Sequence, residues 1–556
     1  MKIQLIQHFP SLHRIYSKIK QRFYLFVQTN KKLTNKIFII SILVVFVWGL
    51  LLRKTRVLYF TTWSSDVSRD LLIAKHISEF KEFTNAAPFN GSSFKALKNS
   101  PLYFYTVALL WTLGKSHLGA TILHATLSAI NVVVIALITQ KLLKNKVWAF
   151  LASVIAAKSE ALTYYSTAIF QPHLLPLASN LAILFWIIAY QNKSLKYLYF
   201  SLFFLLLGLN IHYSQILLLP GFGLLTFITL KSIHKHKKSL AAIILFLFSQ
   251  VVLFSTWLYF ILDDYFRQKL ASFFKLNTQS TRISAFKIMT HLNKALFHLV
   301  PNHSELIVFY TLLVLTIASL IVFQRYKKIN KSSKYLLLTF GLGFIIVFFY
   351  RGNIERYYVT PLYSLFIICL IILWSKSNKI IIILSLALIL FNKPVFYKTT
   401  LKQILNPVYQ ENPRKTATRK LSKKILQDYK THNRNKNTTF DICHNWLINY
   451  SINKTSIWFF LEKFVDKQLI KIQTSPHYNW YSLIPQNQNI DTVYLLCIQP
   501  ASKKTDCLHM QDISNYKSPI IDSKKLRTSK KKKIFLTSDV TLTYSIYRCT
   551  IPPKES

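Results

Sequence analysis

Uncharged apolar runs close to the length of a bilayer crossing recur along the chain as far as about residue 396 and then stop. Ile37 to Leu52 reads IFIISILVVFVWGLLL, Tyr335 to Tyr350 reads YLLLTFGLGFIIVFFY and Ile367 to Trp374 reads IICLIILW, none with a charge. A helix needs ~20 such residues to span the hydrocarbon core. The pattern predicts an α-helical polytopic membrane protein with about eleven crossings, near 37–52, 118–139, 147–165, 174–190, 197–211, 213–230, 239–262, 304–323, 335–350, 357–374 and 380–396. Ahead of them, Phe9, Ile15, Ile19, Phe23 and Phe26 recur at roughly helical spacing among basic residues, as in a helix lying along the membrane interface. Beyond residue 396 the period changes. TVYLLCIQ and VTLTYSIYRC alternate as strands do, so 397–556 reads as a small α/β domain.

Charge gives the runs a direction. Residues 1–36 are rich in Lys and Arg and hold no acid, which places the N-terminus in the cytoplasm. The first apolar run follows this long basic segment and has no small-residue cleavage site after it, so it reads as an anchor. Five short basic loops, Gln140 to Lys146, Gln191 to Lys196, Lys231 to Lys238, Gln324 to Lys334 and Ser375 to Lys379, contain neither Asp nor Glu. All five reach the cytoplasmic side together only if the helix at Pro101 to Gly114 does not cross. The odd number of crossings then puts the C-terminal domain outside. The expected organisation is a basic segment 1–36, a transmembrane domain 37–396 with an outer loop 53–117, and an extracytoplasmic domain 397–556.

Seventy Lys and Arg against 20 Asp and Glu give a formal charge of +50, which in a soluble chain would suggest nucleic acid. Here the cations are spread over every inter-helix loop, with no zinc-finger spacing, helix-turn-helix or aromatic ribonucleoprotein motif, so a nucleic-acid partner is set aside. Membrane lipids are the expected surroundings. Cys369 lies in an apolar span, whereas Cys443, Cys497, Cys507 and Cys549 all follow residue 400 and permit two disulfides in any of three pairings, or none.

Before residue 400 the acids are Asp66, Asp70, Glu79, Glu82, Glu160, Asp263, Asp264, Glu305 and Glu355, and each maps to the outer face or the outer end of a span. Asp66 and Asp70 sit within Ser64-Ser65-Asp66-Val67-Ser68-Arg69-Asp70. Ser65 or Asp66 can cap a helix opening there. Alternatively, the i, i+3 spacing sets Arg69 beside Asp66 and brings a base and a phosphate-binding cation to one face, with Asp70 orienting Arg69. Other outer connections supply partners: Gln171-Pro172-His173, Asn210-Ile211-His212-Tyr213 and Arg351-Gly352-Asn353-Ile354-Glu355-Arg356-Tyr357-Tyr358. Each is also compatible with an interfacial belt of aromatics and snorkelling cations. A divalent metal is conceivable among the outer His and Glu, but no tight ligand spacing requires one.

Taken in order, these motifs resemble the GT-C membrane glycosyltransferases of family 39, which includes the protein O-mannosyltransferases and is related to the aminoarabinose transferase of lipid A. The resemblance runs over roughly residues 35–375. It is carried by Asp66-x-x-Arg69-Asp70 before an apolar helix, Pro101-Leu102-Tyr103-Phe104-Tyr105 leading to Leu113-Gly114, Phe170-Gln171-Pro172-His173-Leu174-Leu175-Pro176, and Arg356-Tyr357-Tyr358 before Pro361-Leu362-Tyr363. The chain departs from the pattern at Lys98-Asn99-Ser100-Pro101, where Lys98 is one position out of register with a Lys-Pro-Pro-Leu motif, and at Ser65, where paired acids are usual.

The resemblance implies transfer of a sugar from a polyprenyl-phosphate donor to a lipid, glycan or protein acceptor at the outer face, with inversion. By position, Asp66 is then the catalytic carboxylate and Arg69 stabilises the departing lipid phosphate, supported by Asp70. Arg351, Arg356 and Tyr357 hold that phosphate from the other side, and His173 and His212 complete the substrate site. A transporter or flippase of lipid-linked saccharides is the competing reading, and a scaffold displaying the C-terminal domain is a third.

Overall fold

A computed structural model describes residues 31–60, 65–80, 101–233, 325–349, 356–377, 413–432 and five strands after residue 438, with isolated helical positions within 243–248, 314–321 and 382–383. The interfacial helix expected before residue 31, and most of the crossings expected at 239–262, 304–323 and 380–396, lie outside the described residues.

Among the described residues the apolar runs fold as helices, α1 (Lys31–Phe60), α2 (Ser65–Ser78), α3 (Leu102–Gly114), α4 (His117–Leu143), α5 (Lys146–Lys158), α6 (Glu160–Tyr164), α7 (Leu175–Asn192), α8 (Leu195–Ile211), α9 (Leu219–Ile233), α10 (Lys331–Phe349) and α11 (Thr360–Trp374). Five stretches among the described residues are long and apolar enough to cross a membrane: Lys32–Leu58, His117–Leu143, Gln171–Asn192, Tyr213–Ile233 and Tyr357–Trp374. The chain is an α-helical multi-pass membrane protein. α4 is its hub, packing on α1, α3, α5, α7 and α11, and α11 is buried on nearly every side.

α3 is short and apolar, and only Lys115 and Ser116 separate it from α4. Lys115 adopts the left-handed conformation, and Ser116 accepts the Gly119 N–H to cap α4. A Cβ on Gly119 would run into the Gly114 carbonyl, so the two glycines let the chain reverse at contact distance.

The expected single crossing at 147–165 is instead broken. α5 ends at Lys158, Ser159 turns to ψ 121° and caps α6 by accepting the Leu162 N–H, and a 3₁₀ turn follows at Tyr165–Thr167. Non-helical backbone at such a place is tolerated where protein surrounds it, and Ala161 to Ile169 are buried except Tyr164.

Three of the five basic loops meet at one end of the bundle. Gln191 donates to the Lys141 carbonyl (3.0 Å), Asn330 to the Leu142 carbonyl (2.6 Å), and Lys146 to Asn35 at the start of α1 (2.6 Å). The 3₁₀ segments Gln171–Leu174, Tyr213–Leu218 and Arg356–Val359 pack together at the other end.

After residue 400, α12 (Pro413–His432) precedes β1 (Thr439–His444), β2 (Ile490–Pro500), β3 (Asp522–Thr528), β4 (Lys532–Lys533) and β5 (Thr541–Thr550). The order is β1-β2-β5-β3 with β4 also on β5; β1 and β2 run parallel and the other pairs antiparallel. The two alternating segments of the sequence are therefore paired neighbours, from Thr492 opposite Thr550 to Pro500 opposite Leu542.

Candidate functional site

Two groups of polar side chains lie at the end of the bundle opposite the basic loops. The first is on α2, where Arg69 donates through Nε (2.8 Å) and Nη2 (2.6 Å) to one oxygen, Oδ1, of Asp70. Both side chains are buried, Asp70 completely. α2 opens at Ser65, so Asp66 stands in its first turn, where the positive end of the helix dipole favours a carboxylate. Asp66 and Arg356 are placed by their backbone alone, on α2 and on the Arg356–Val359 turn, and Arg351 lies outside the described residues.

The second group is a cluster of rings. Gln171–Leu174 and Tyr213–Leu218 are 3₁₀ segments that lead into α7 and α9; the first, held by Pro172, contains His173, the second is capped by His212, and both histidines are buried. His173 lies 4.7 Å from Tyr165 and 5.2 Å from Phe170, measured between ring centroids. Phe170 meets Tyr357 edge-on at 5.1 Å, and Tyr357 is 6.3 Å from His212. His212 stacks with Tyr358 at 6.2 Å. Thr360 ties the two sides together by donating to the Pro172 carbonyl at 3.1 Å. The structure thus brings His173, His212 and Tyr357 into one cluster, and pairs Arg69 with Asp70 on a separate helix, with α3 packed between α2 and both α4 and α8.

Backbone contacts fix which ring nitrogen carries the proton. His173 Nδ1 is 2.8 Å from the Ala168 carbonyl, which only accepts, so in the neutral ring Nδ1 donates and Nε2 keeps a lone pair. His212 is reversed: Nδ1 accepts the Ser214 N–H at 3.2 Å, which leaves the proton on Nε2. One acceptor and one donor among aromatic faces suit a ligand that combines hydroxyl groups with apolar ring surface, as a sugar does.

Burial pushes the His212 pKa down to about 3. Between the ordinary ~6.5 and that value the folded chain binds fewer protons than the unfolded one, so His212 makes stability fall as pH falls through this window. His212→Gln is expected to flatten the dependence of Tm on pH between about 6.5 and 4. An unchanged slope, followed by thermal unfolding in detergent, would show that His212 is not the source.

The sequence reading missed His124 and Arg53. His124 is fully buried, with Nδ1 3.2 Å from the Ser166 carbonyl, its ring 6.3 Å from His173 and its Nε2 without a hydrogen-bond partner among the described residues. It belongs to a stripe on α4 of His117, Thr121, His124, Ser128 and Asn131, spaced i, i+4, i+7, i+11 and i+14. That spacing marks one face of a helix and was available in the sequence, although screening for uncharged runs hides it. Lower on the stripe, Asn131 donates to Ser364 (3.1 Å) and accepts from Asn180 (2.6 Å), joining α4, α11 and α7 inside the bundle. Among the described residues no three His, Cys, Asp or Glu side chains are grouped to hold a metal ion.

Residues 98–260 match the family described as dolichyl-phosphate-mannose-protein mannosyltransferase. Over this stretch the chain is similar to membrane sugar transferases, in agreement with the GT-C resemblance read from its motifs. The matched residues include the Pro101 to Gly114 helix, His124, His173 and His212, and leave Asp66, Arg69, Asp70 and Arg356 outside.

Among solved structures, ArnT from Cupriavidus metallidurans in the apo state is similar at 9% identity and a TM-score of 0.49, covering 90% of this chain and 97% of that one. The same enzyme bound to undecaprenyl phosphate gives 9% identity and a TM-score of 0.45, covering 91% and 97%. Among curated proteins none matches the chain.

Proposed function

We propose that the chain is a membrane glycosyltransferase that moves a sugar from a polyprenyl-phosphate donor to an acceptor at the extracytoplasmic face, with inversion. The observation that carries the reading is the family match over 98–260, whose described sugar donor is a dolichyl phosphate, together with the ring cluster that joins His173 and His212 of that stretch to Tyr357. Asp66 takes the proton of the acceptor hydroxyl. Arg69, oriented by Asp70, faces the charge that develops on the leaving phosphate. Arg351, Arg356 and Tyr357 hold that phosphate from the far side, and His173 and His212 meet the sugar hydroxyls.

The sidedness rests on the positive-inside rule, with the basic loops gathered at the opposite end of the bundle as its support.

A transporter of lipid-linked saccharide is the second reading, favoured by the buried polar stripe on α4, since polar residues inside spans line many substrate paths. Purified protein in vesicles loaded with labelled polyprenyl-phosphate sugars separates the two. Transfer is expected to release polyprenyl phosphate and form a labelled acceptor. Movement of intact donor across the bilayer with no covalent product would overturn the proposal.

A further inference from the structure

Arg53 directly follows the uncharged run Ile37 to Leu52, towards the C-terminal end of α1, and is fully buried. A buried cation is costly unless it is paired or hydrogen-bonded. Its donors fan out to α5 and α4. Nη1 reaches the Gly49 carbonyl at 3.0 Å and the Ala157 carbonyl at 3.4 Å, Nη2 the Ala156 carbonyl at 3.5 Å, and Nε the Ser128 hydroxyl at 3.2 Å. Ala156 and Ala157 belong to the last turn of α5, where carbonyls lack helical donors and the dipole is negative. Ser128 in turn donates to the Leu162 carbonyl at 3.3 Å, on the far side of the break at Ser159. Arg53 therefore holds the chain both before and after the break.

Gly49 gives it room: a Cβ there would lie 3.3 Å from both Arg53 Nη1 and the Ala157 Cβ. One turn along α1, the Arg56 guanidinium sits 5.1 Å from the centre of the Tyr164 ring, a second grip on the same segment.

The carbonyls of this segment at Ser166 and Ala168 are the ones that hold His124 and His173 and set their proton positions. We infer that Arg53 is a positioning residue of the candidate site: by pinning the break between α5 and α7 it fixes the backbone that orients His124 and His173. The link to chemistry rests on the proposed function; the link to backbone and rings does not.

The test uses full-length protein in nanodiscs and needs no substrate for its first two measurements. In Arg53→Met, hydrogen exchange within 159–170 is expected to rise about tenfold or more while α7 and α8 keep theirs, because the loss opens one local unit. Modification of His173 by diethyl pyrocarbonate is expected to accelerate in the same variant, and Ser128→Ala is expected to show both effects at smaller size. Arg53→Lys, which keeps the cation, is expected to recover part of each. Unchanged exchange in 159–170, or a rise shared equally by all helices, would overturn the inference. So would a local rise that leaves His173 reactivity as it was.

A third measurement, sugar transfer, is expected to fall in Arg53→Met through kcat with little change in KM for the donor. Absence of transfer in the parent protein would sink the proposed function and leave the first two measurements to decide the role of Arg53.

Discussion

Asp66→Asn is expected to lower sugar transfer by about 10²–10⁴-fold, the usual contribution of a positioned general base, while the protein keeps its fold and its thermal stability to within about 1 kcal/mol. The substitution preserves size, and in the first turn of α2 the lost charge gives up only its favourable interaction with the helix dipole, about 0.3–1 kcal/mol. It removes the charge and the basicity but keeps a polar side chain. Asp66→Ala removes the polar side chain as well, so comparing the two variants separates the structural part from the chemical one. A loss of activity shared by both variants with equal stability would assign the effect to the carboxylate. Full transfer by Asp66→Asn, assayed with membranes carrying wild-type levels of protein, would remove Asp66 from the chemistry and leave it as a first-turn carboxylate facing the helix dipole.

Most of the architecture was legible because hydrophobic burial in a membrane leaves long uncharged runs, and the structure has helices at each run that falls among the described residues. The gathering of the basic loops was legible for the same reason, since Gln140 to Lys146, Gln191 to Lys196 and Gln324 to Lys334 punctuate those runs. The break at Ser159 was not. Lys146 to Tyr165 contains neither Gly nor Pro, and at the break the Ser159 cap is joined by a tertiary contact, the Arg53 side chain on the carbonyls of Ala156 and Ala157. No local propensity encodes a cation arriving from 103 residues earlier.

The candidate site divides in the same way. His173 and His212 stood out as polar residues at helix junctions, and the structure puts both in one ring cluster. His124 sits seven residues inside α4, within a run that reads as a crossing, and only the periodic spacing of His117, Thr121, His124, Ser128 and Asn131 distinguishes it from an isolated polar residue. On α2 the Arg69 side chain gives Asp70 two donors on one oxygen, the orienting contact expected of Asp70, while the side chain of Asp66 lies outside the described residues.

Asp70→Ala is accordingly expected to destabilise the protein by about 3–5 kcal/mol, the cost of removing one partner of a buried ion pair. A surface ion pair would contribute only about 0–1 kcal/mol, and the burial of this pair, with Asp70 fully enclosed, decides between the two magnitudes. Asp70→Asn keeps an acceptor oxygen but not the charge, so its cost should fall between wild type and Asp70→Ala. Removing both charges in Arg69→Met with Asp70→Leu is expected to regain much of the lost stability, because apolar side chains of similar volume then replace the buried pair. Thermal unfolding of the four proteins in one detergent measures this directly. A cost below about 1 kcal/mol for Asp70→Ala would mean that the Arg69 guanidinium finds water or another anion once released. The double variant carries a second consequence: if it is stable yet lacks transfer, the pair is needed for the reaction itself, since its structural contribution has been replaced by packing. Stability and activity lost together in the single variant, and both restored in the double, would instead confine Arg69 and Asp70 to holding α2 in place.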